Sequence, residues 1–309
     1  QGIVSGESDV TLSIAGKLDN GQGGLVSAQR ALSFERDDTL LNNAGGRING
    51  GSLLLKGASL DNSDGQLISQ GRLDAILGGA LVNAGAARLA SGGDLLLRSA
   101  SVDNRGGKLV SQGLLEISAG SLDNSASGTL ASQADMSLRL VGGALRNQQD
   151  GLIFSQAGAL EVQAGSLDNR QGTLQAQGDN RLRIGGALDN QGGGLYASGL
   201  LSLDGQRFLN QGAAAGQGGK VGAGRIDFSL AGALANRFGQ LESESELHLR
   251  AAAIDNSGGS LRALGRSGST RLVAGGLNNA YGVLESANQD LDLQLGSLAN
   301  AGGRILHTG

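Results

Sequence analysis

Apolar and polar residues alternate along this chain in a pattern that repeats at a nearly constant interval. Residues 167–174 show its skeleton, L-x-N-x-x-G-x-L. The asparagine of this skeleton recurs fourteen times along the sequence. These residues are Asn20, Asn43, Asn62, Asn83, Asn104, Asn124, Asn147, Asn169, Asn190, Asn210, Asn236, Asn256, Asn279 and Asn300. A nearly fixed period of this kind is typical of a solenoid, in which each repeat forms one turn of a stack.

The spacing within one turn predicts strands. Apolar residues recur at every second position, as at Leu182 and Ile184, which is the strand period and places them on one face. Glycines near Gly178 and at Gly185–Gly186 divide the turn into three short strands, because sharp bends favour Gly. Equivalent strands of neighbouring turns then pair in parallel. We predict an all-β parallel β-helix of about 14 turns, each of roughly 21–22 residues.

The main alternative fold is a leucine-rich repeat, which also has an asparagine ladder. That repeat requires L-x-x-L-x-L-x-x-N and a helical or 3₁₀ return segment. Here the asparagine follows an apolar residue by two positions, and no segment has a helical period over a sufficient length. We therefore prefer the β-helix. Residues 1–309 are predicted to be one continuous repeat array, and the start at Gln1 without Met suggests an internal fragment of a longer protein.

Composition excludes several other classes of protein. Gly accounts for 56 of 309 residues, but Pro is absent and Gly does not recur at every third position, which excludes collagen. The net charge of −4 predicts no nucleic-acid partner. No apolar run approaches the length of a membrane-spanning helix, so we predict no membrane-spanning segment. Because the chain contains no Cys, it has neither disulfides nor thiolate sites.

Longer intervals between asparagines predict loops. The interval from Asn210 to Asn236 is the longest, and its excess lies in residues 211–219, which are rich in Gly, Ala and Gln. The slightly long intervals that begin at Asn20 and Asn256 suggest smaller protrusions at Glu35–Asp38 and near Gly265–Gly268.

Two columns of recurring residues are predicted to be structural. The asparagines share the inward phase of the apolar residues, so their amides should bond to each other and to bent backbone. A second column holds small side chains that would suit a tight inner corner. Its predicted members are Ser5, Ser27, Gly50, Ser69, Ser91, Ser111, Ser132, Ser155, Ala176, Ala197, Ala223, Ser243, Ala263 and Ser286, and His307 breaks it.

Catalytic, cofactor and metal sites are not predicted. A serine nucleophile would need a histidine as its base, and the sequence has only two histidines, His248 and His307. They lie nearly three turns apart, so we do not expect nucleophilic catalysis. Four potential ligands occupy every second position of one segment: Glu242, Glu244, Glu246 and His248. Strand alternation should point all of them outward, with neighbours about 6.5–7 Å apart. That separation is too large for convergence on one ion without a second strand. We expect a solvated outer row.

Other outward residues are acidic or aromatic. Aspartates precede several of the asparagines, and the pairs Asp103/Asp123 and Asp168/Asp189 should stack like charge on like charge. Four aromatic residues point outward by phase and form a possible contact surface: Phe154, Tyr196, Phe238 and Tyr281.

The extended repeat L-D-N-x-x-G-x-L-x-S-x-G-x-L resembles that of filamentous haemagglutinins and contact-dependent growth-inhibition exoproteins of Gram-negative bacteria. Clear instances are Leu60–Leu73, Val102–Leu115 and Leu167–Leu182. The resemblance implies a right-handed β-helix in a large protein exported by two-partner secretion, with an outer-membrane transporter as its export partner. It also implies a shaft that presents a receptor-binding or toxin region elsewhere in the chain.

Together these observations predict a structural role outside the cell. We expect a secreted or cell-surface shaft that serves adhesion or cell–cell contact, is not an enzyme, and meets a receptor or glycan on a host or neighbouring cell. One alternative is a carbohydrate-active β-helix enzyme resembling a polysaccharide lyase or hydrolase. Another is passive glycan binding along the outer face.

Overall fold

The computed structural model describes residues 2–309, and the strand pairings within this range are parallel. These residues form thirty-seven strands and no helix. The chain divides into two compact units, Gln1–Gly158 and Ala159–Gly309. Each unit is a parallel β-solenoid, and the described residues contain about fifteen turns in all. The predicted fold class is confirmed.

The first unit contains β1 to β21. Their bounds are Ile3–Gly6, Val10–Leu12, Lys17–Asp19, Leu25–Ala28, Ala31–Phe34, Leu40–Asn42, Arg47–Gly50, Ser52–Gly57, Ser59–Asp61, Gln66–Ser69, Leu73–Leu77, Ala80–Val82, Arg88–Ser91, Leu95–Ser99, Ser101–Asp103, Lys108–Ser111, Leu115–Ala119, Leu122–Asp123, Thr129–Ser132, Met136–Arg146 and Leu152–Ser155.

The second unit contains β22 to β37. Their bounds are Leu160–Asp168, Thr173–Ala176, Asn180–Asp189, Gly194–Leu209, Lys220–Leu230, Ala233–Ala235, Gln240–Ser243, Leu247–Ala251, Ala253–Asp255, Ser260–Ala263, Ser269–Ala274, Leu277–Asn278, Val283–Ser286, Asp290–Leu295, Leu298–Ala299 and Arg304–His307.

Each turn has three faces, named here in chain order after the asparagine. The first face begins after the glycine that follows the asparagine, and the third face ends at the next asparagine. Register aligns Leu67, Leu89 and Leu109 on the first face, Leu73, Leu95 and Leu115 on the second, and Leu81, Val102 and Leu122 on the third. Like residues therefore stack on like residues, and the apolar columns form a narrow continuous core within each unit.

Several strands are longer than the three short strands per turn that the glycines predict. β24 crosses from the second face to the third, with a register shift between Ile184 and Ala187. β25 runs through all three faces and shifts register between Ala197 and Leu200. The residues on both sides of each register shift keep their parallel partners. The strand therefore continues around the corner instead of ending there.

The number of turns also differs slightly from the prediction of about 14, which counted asparagines. The first face has eight strands among the described residues of the first unit and seven in the second. The last of these, β37, follows Asn300 and adds a partial turn.

The predicted loops lie outside the core. In the longest, residues 213–217 are exposed, whereas Gly212 and Gly218 at its base are buried. Gly212 donates a backbone hydrogen bond to Arg237, and Gly219 donates one to Asn210, so the base of the loop belongs to the stack. Residues 35–38 are exposed as well.

Candidate functional site

The asparagine corner, which joins the third face to the first, is a ladder of side-chain amides. In the first unit each amide nitrogen donates to the next amide oxygen at 2.7 Å, from Asn20 through to Asn147. In the second unit the same chain runs from Asn169 to Asn300 at 2.7–2.8 Å. From Asn43 to Asn279 these side chains are 0% exposed.

The same amides also hold the backbone of the corner. Asn104 Nδ2 donates to Asn124 Oδ1 at 2.7 Å, to Gly107 O at 3.2 Å and to Thr129 O at 3.1 Å. One side chain thus contacts its own corner, the next amide and the first strand of the next turn. Removal of such a side chain would leave several buried polar groups without partners.

The glycine of the N-x-x-G skeleton is required because the backbones of neighbouring turns approach each other closely there. A Cβ on Gly107 would lie 1.7 Å from Asn83 O, so any side chain would displace the backbone of the preceding turn. At every asparagine corner except that of Asn210, the residue two positions after the asparagine has a positive φ, for example 70° at Gly106 and 58° at Gln171. These two requirements account for the N-x-x-G skeleton.

The aspartates before the asparagines organise the corner from outside. Asp103 Oδ1 accepts from the backbone nitrogen of Arg105 at 3.1 Å, an Asx turn that recurs at Asp61, Asp123, Asp189 and Asp255. The Arg105 guanidinium donates to both carboxylate oxygens, and these hydrogen bonds lower the pKa of Asp103. A hydrogen bond from Lys17 likewise lowers the pKa of Asp19.

The expected stacking of aspartate on aspartate is confirmed, but neighbouring arginines compensate the charge. Asp103 and Asp123 are in register, as are Asp168 and Asp189. However, Arg105 pairs with Asp103 at 2.6 Å, and the Arg170 guanidinium lies 2.7 Å from Asp168 and 3.8 Å from Asp189. The residue after the asparagine therefore supplies the compensating charge, which the sequence pattern of the aspartates alone did not reveal.

The serine corner, which joins the first face to the second, contains the column of small residues. The Ser111 hydroxyl has two carbonyls within reach of its single proton, Leu114 O of its own turn at 2.8 Å and Gly93 O of the preceding turn at 2.7 Å, and it accepts from Gly113 N at 3.1 Å. Ser91 has the equivalent contacts. In the second unit alanine takes this place at Ala176, Ala197, Ala223 and Ala263.

Two predicted members of the small column are wrong. Ser27 is in register with Asn49 on the outer side, and the buried residue of that turn is Ala28. Ser5 is in register with Ser27 and is exposed. Two adjacent apolar residues, as in Leu25–Val26, make the inward phase ambiguous, and the inward residue is Val26.

A buried polar cluster outside the repeat phase was not predicted. Asn288 is 0% exposed, and its Nδ2 donates to Ser245 O, Gly265 O and Ser267 O at 2.7–3.1 Å. Its Oδ1 accepts from Thr270 Oγ1 at 2.7 Å. This residue fastens the base of the 265–268 loop. The only signal in the sequence is an asparagine that does not follow the period.

The outer acidic residues form ion pairs between turns. Glu242 and Glu285 both pair with Arg262, at 3.1 and 3.0 Å. His248 Nε2 lies 2.9 Å from Ser269 Oγ. Within residues 2–309, no group of three or more His, Asp or Glu residues is arranged to hold a metal ion.

The four predicted contact aromatics differ in exposure. Tyr281 is 79% exposed, whereas Phe154, Tyr196 and Phe238 are half-buried. The Arg237 guanidinium lies 5.6 Å from the centre of the Phe238 ring. Within the second unit, Tyr196, Phe238 and Tyr281 lie in different turns, and the corner rings of Phe238 and Tyr281 are two turns apart.

A family model decides what this repeat is. The haemagglutinin repeat model matches residues 3–76, 75–139, 140–192, 189–238 and 221–309. The chain belongs to the haemagglutinin repeat family. The suspected resemblance is thereby confirmed, and the haemagglutinin repeats extend over nearly the whole sequence.

Other comparisons add nothing to this assignment. No curated protein and no solved structure matched the chain. In the part of the chain that the structure describes, no helix is long and apolar enough to cross a membrane.

Proposed function

We propose that this chain is part of the shaft of a large secreted exoprotein that serves adhesion or cell–cell contact. The haemagglutinin repeats and the parallel β-solenoid fit such a shaft. In this proposal a receptor-binding or toxin region lies elsewhere in the protein, and an outer-membrane transporter exports the chain to the cell surface.

The observation that carries the proposal is the amide ladder. Its buried hydrogen bonds repeat from turn to turn within each unit, with nearly the same lengths. Interactions that recur identically in successive turns stabilise a long stack of repeats. A binding or catalytic centre instead needs residues that differ from those of the neighbouring turns. We therefore propose that the fourteen asparagines are structural.

Deletion of whole turns in the full-length protein on its own cells tests the proposal. Removal of residues 84–104 takes out one turn and places Asn83 before Arg105, which restores the ladder. Cell-contact activity should be retained. Removal of residues 84–93 deletes half a turn, breaks the register and should abolish surface display and activity together.

The shaft proposal fails if the whole-turn deletion abolishes contact activity while display at the cell surface is normal. That result would mean that the deleted turn contains a specific site. Incubation of the purified chain with acidic and neutral polysaccharides addresses the enzyme alternative, because a lyase or hydrolase would shorten one of them.

A further inference from the structure

The outer side of the first face in the second unit has a platform built around Tyr196. A Cβ on Gly194 would lie 2.5 Å from Tyr196 Cε2, and one on Gly222 would lie 3.4 Å from Tyr196 Cδ1. One edge of the ring thus lies over Gly194 and the opposite edge over Gly222, close to the positions that their Cβ atoms would occupy. The tyrosine ring therefore lies flat on the sheet, with one face turned toward solvent.

A shallow depression of about 240 Å³ surrounds this ring. Small residues form its floor, and Gln175, Ser198, Glu242 and Glu244 form its rim. Gly222 lies between Tyr196 and Glu242 in the same register column, so no side chain separates the ring from that carboxylate.

The rim is acidic and only partly neutralised. Glu242 pairs with Arg262 at 3.1 Å. Glu244 is exposed and, among residues 2–309, forms no ion pair. The face of an aromatic ring attracts cations, and a carboxylate near the ring adds to that attraction. Lys220, in register with Gly194, carries an opposing charge on the adjacent column.

We propose that Tyr196, Glu242 and Glu244 bind an arginine side chain of a partner protein. A guanidinium is planar and always charged, so it can stack on the tyrosine face while its N–H groups pair with the carboxylates. A neutral ligand would use the ring but not the carboxylate charge. This site is independent of the proposed shaft role, since it depends on side chains that differ from turn to turn and not on the repeated ladder.

The composition of the chain provides a direct probe. Tyr196 and Tyr281 are its only tyrosines, and Trp is absent. In the Tyr281→Phe variant, Tyr196 is thus the single fluorescent reporter. Titration with acetyl-Gly-Arg-Gly-amide should change its fluorescence saturably. The same peptide with citrulline, which has the shape of arginine without its charge, should bind at least tenfold more weakly.

Two variants and one matched control locate the effect. Glu244→Gln should weaken binding of the arginine peptide at least threefold, and Gly222→Gln should fill the depression and weaken it further. A Cβ at Gly222 makes only ordinary contact with Tyr196, so this second variant should fold. Glu246→Gln, the next glutamate along the chain, should bind like the parent.

Equal binding of the citrulline peptide would overturn the proposal, as would unchanged binding in Glu244→Gln. A saturable response to neutral oligosaccharides, unaffected by salt, would instead assign the platform to sugar stacking. Circular dichroism of each variant separates loss of binding from loss of fold, and Glu244→Gln decides if Gly222→Gln unfolds.

Discussion

The asparagine corner and the serine corner are both tight, buried bends, yet only one of them keeps its side chain throughout. All fourteen repeats have Asn at the first, whereas the second accepts Ser, Ala or Gly. Asn104 links its corner to the neighbouring amide and to the next strand, while Ser111 bonds only to backbone groups of two bends. A position is therefore restricted by the number of partners that its side chain must satisfy.

The chemistry of the two side chains explains this contrast. An amide both donates and accepts, so every asparagine depends on its neighbours, and one replacement disrupts two interfaces. A serine hydroxyl at the other corner donates to carbonyls that already accept backbone bonds, such as Gly93 O from Gly113 N. Alanine can replace it because these carbonyls keep their backbone partners.

The largest expected effect is at the asparagine corner. Asn104→Leu keeps the approximate size but leaves donors and acceptors unpaired in two neighbouring turns, at about 1–3 kcal/mol for each stranded group. Denaturant unfolding measures the loss. The control is Asn49→Leu, which changes the same residue type on the outer side and should alter stability by less than about 0.5 kcal/mol. Similar losses in the two variants would contradict a special role for the buried ladder position.

Much of this contrast could be predicted from the sequence. The position of Asn104 two residues after Val102 is enough to predict an inward side chain, because strand alternation is strict there. The same rule is wrong at Ser27, where Leu25 and Val26 are both apolar and either could point inward.

Contacts between distant residues could not be predicted in the same way. Asn288 bonds to carbonyls 21, 23 and 43 residues earlier in the chain, and no local pattern indicates which backbone will be close. The flat ring of Tyr196 depends on two glycines, one of them in the next turn. The sequence alone predicts that Tyr196 points outward. The platform could be recognised only from the strand register, which places Gly222 beside the ring.

At the serine corner the limit is space. Ser111 is 1% exposed and stacked between Ser91 and Ser132, so Ser111→Leu should overpack the bend and cost about 1–3 kcal/mol. Gln112→Leu, at the next, exposed position, should change the free energy of unfolding little. Thermal and denaturant unfolding of both variants check the phase, and equal shifts would refute it.

A smaller effect is expected just outside the asparagine corner. Asp103→Asn retains an oxygen for the Asx turn but loses the charge that pairs with Arg105. Pairing lowers the pKa of Asp103, so its contribution is present above the unfolded pKa and disappears as pH falls through the folded pKa. The parent should be more stable by under about 1 kcal/mol at pH 7.

The pH dependence separates charge from turn geometry. The stability difference between parent and Asp103→Asn should shrink below about pH 4 as the carboxylate is protonated. Unfolding measured from pH 2 to pH 7 tests this, and a difference that stays constant over the range would assign the effect to the turn.

The smallest effect is expected in the long loop. Deletion of Ala213–Gly216 removes exposed residues but keeps Gly212, Gly218 and the bond from Asn210 Nδ2 to Gly219 O. The melting temperature should stay close to that of the parent. Deletion of four residues at the corner itself, Ala233–Asn236, should instead destroy the local register. Cooperative loss of structure in the first deletion would show that the exposed tip is needed.

The most direct test of the account is a double-mutant cycle along the ladder. Asn83 and Asn104 share one amide–amide bond of 2.7 Å, whereas Asn43 and Asn104 share neither a bond nor a bonding partner. If the ladder acts through bonds between turns, Asn83→Leu and Asn104→Leu should be less than additive, with a coupling of about 0.5–3 kcal/mol in the free energy of unfolding. The pair Asn43 and Asn104 should be additive within about 0.5 kcal/mol. Additive losses for the adjacent pair would contradict a stabilising ladder.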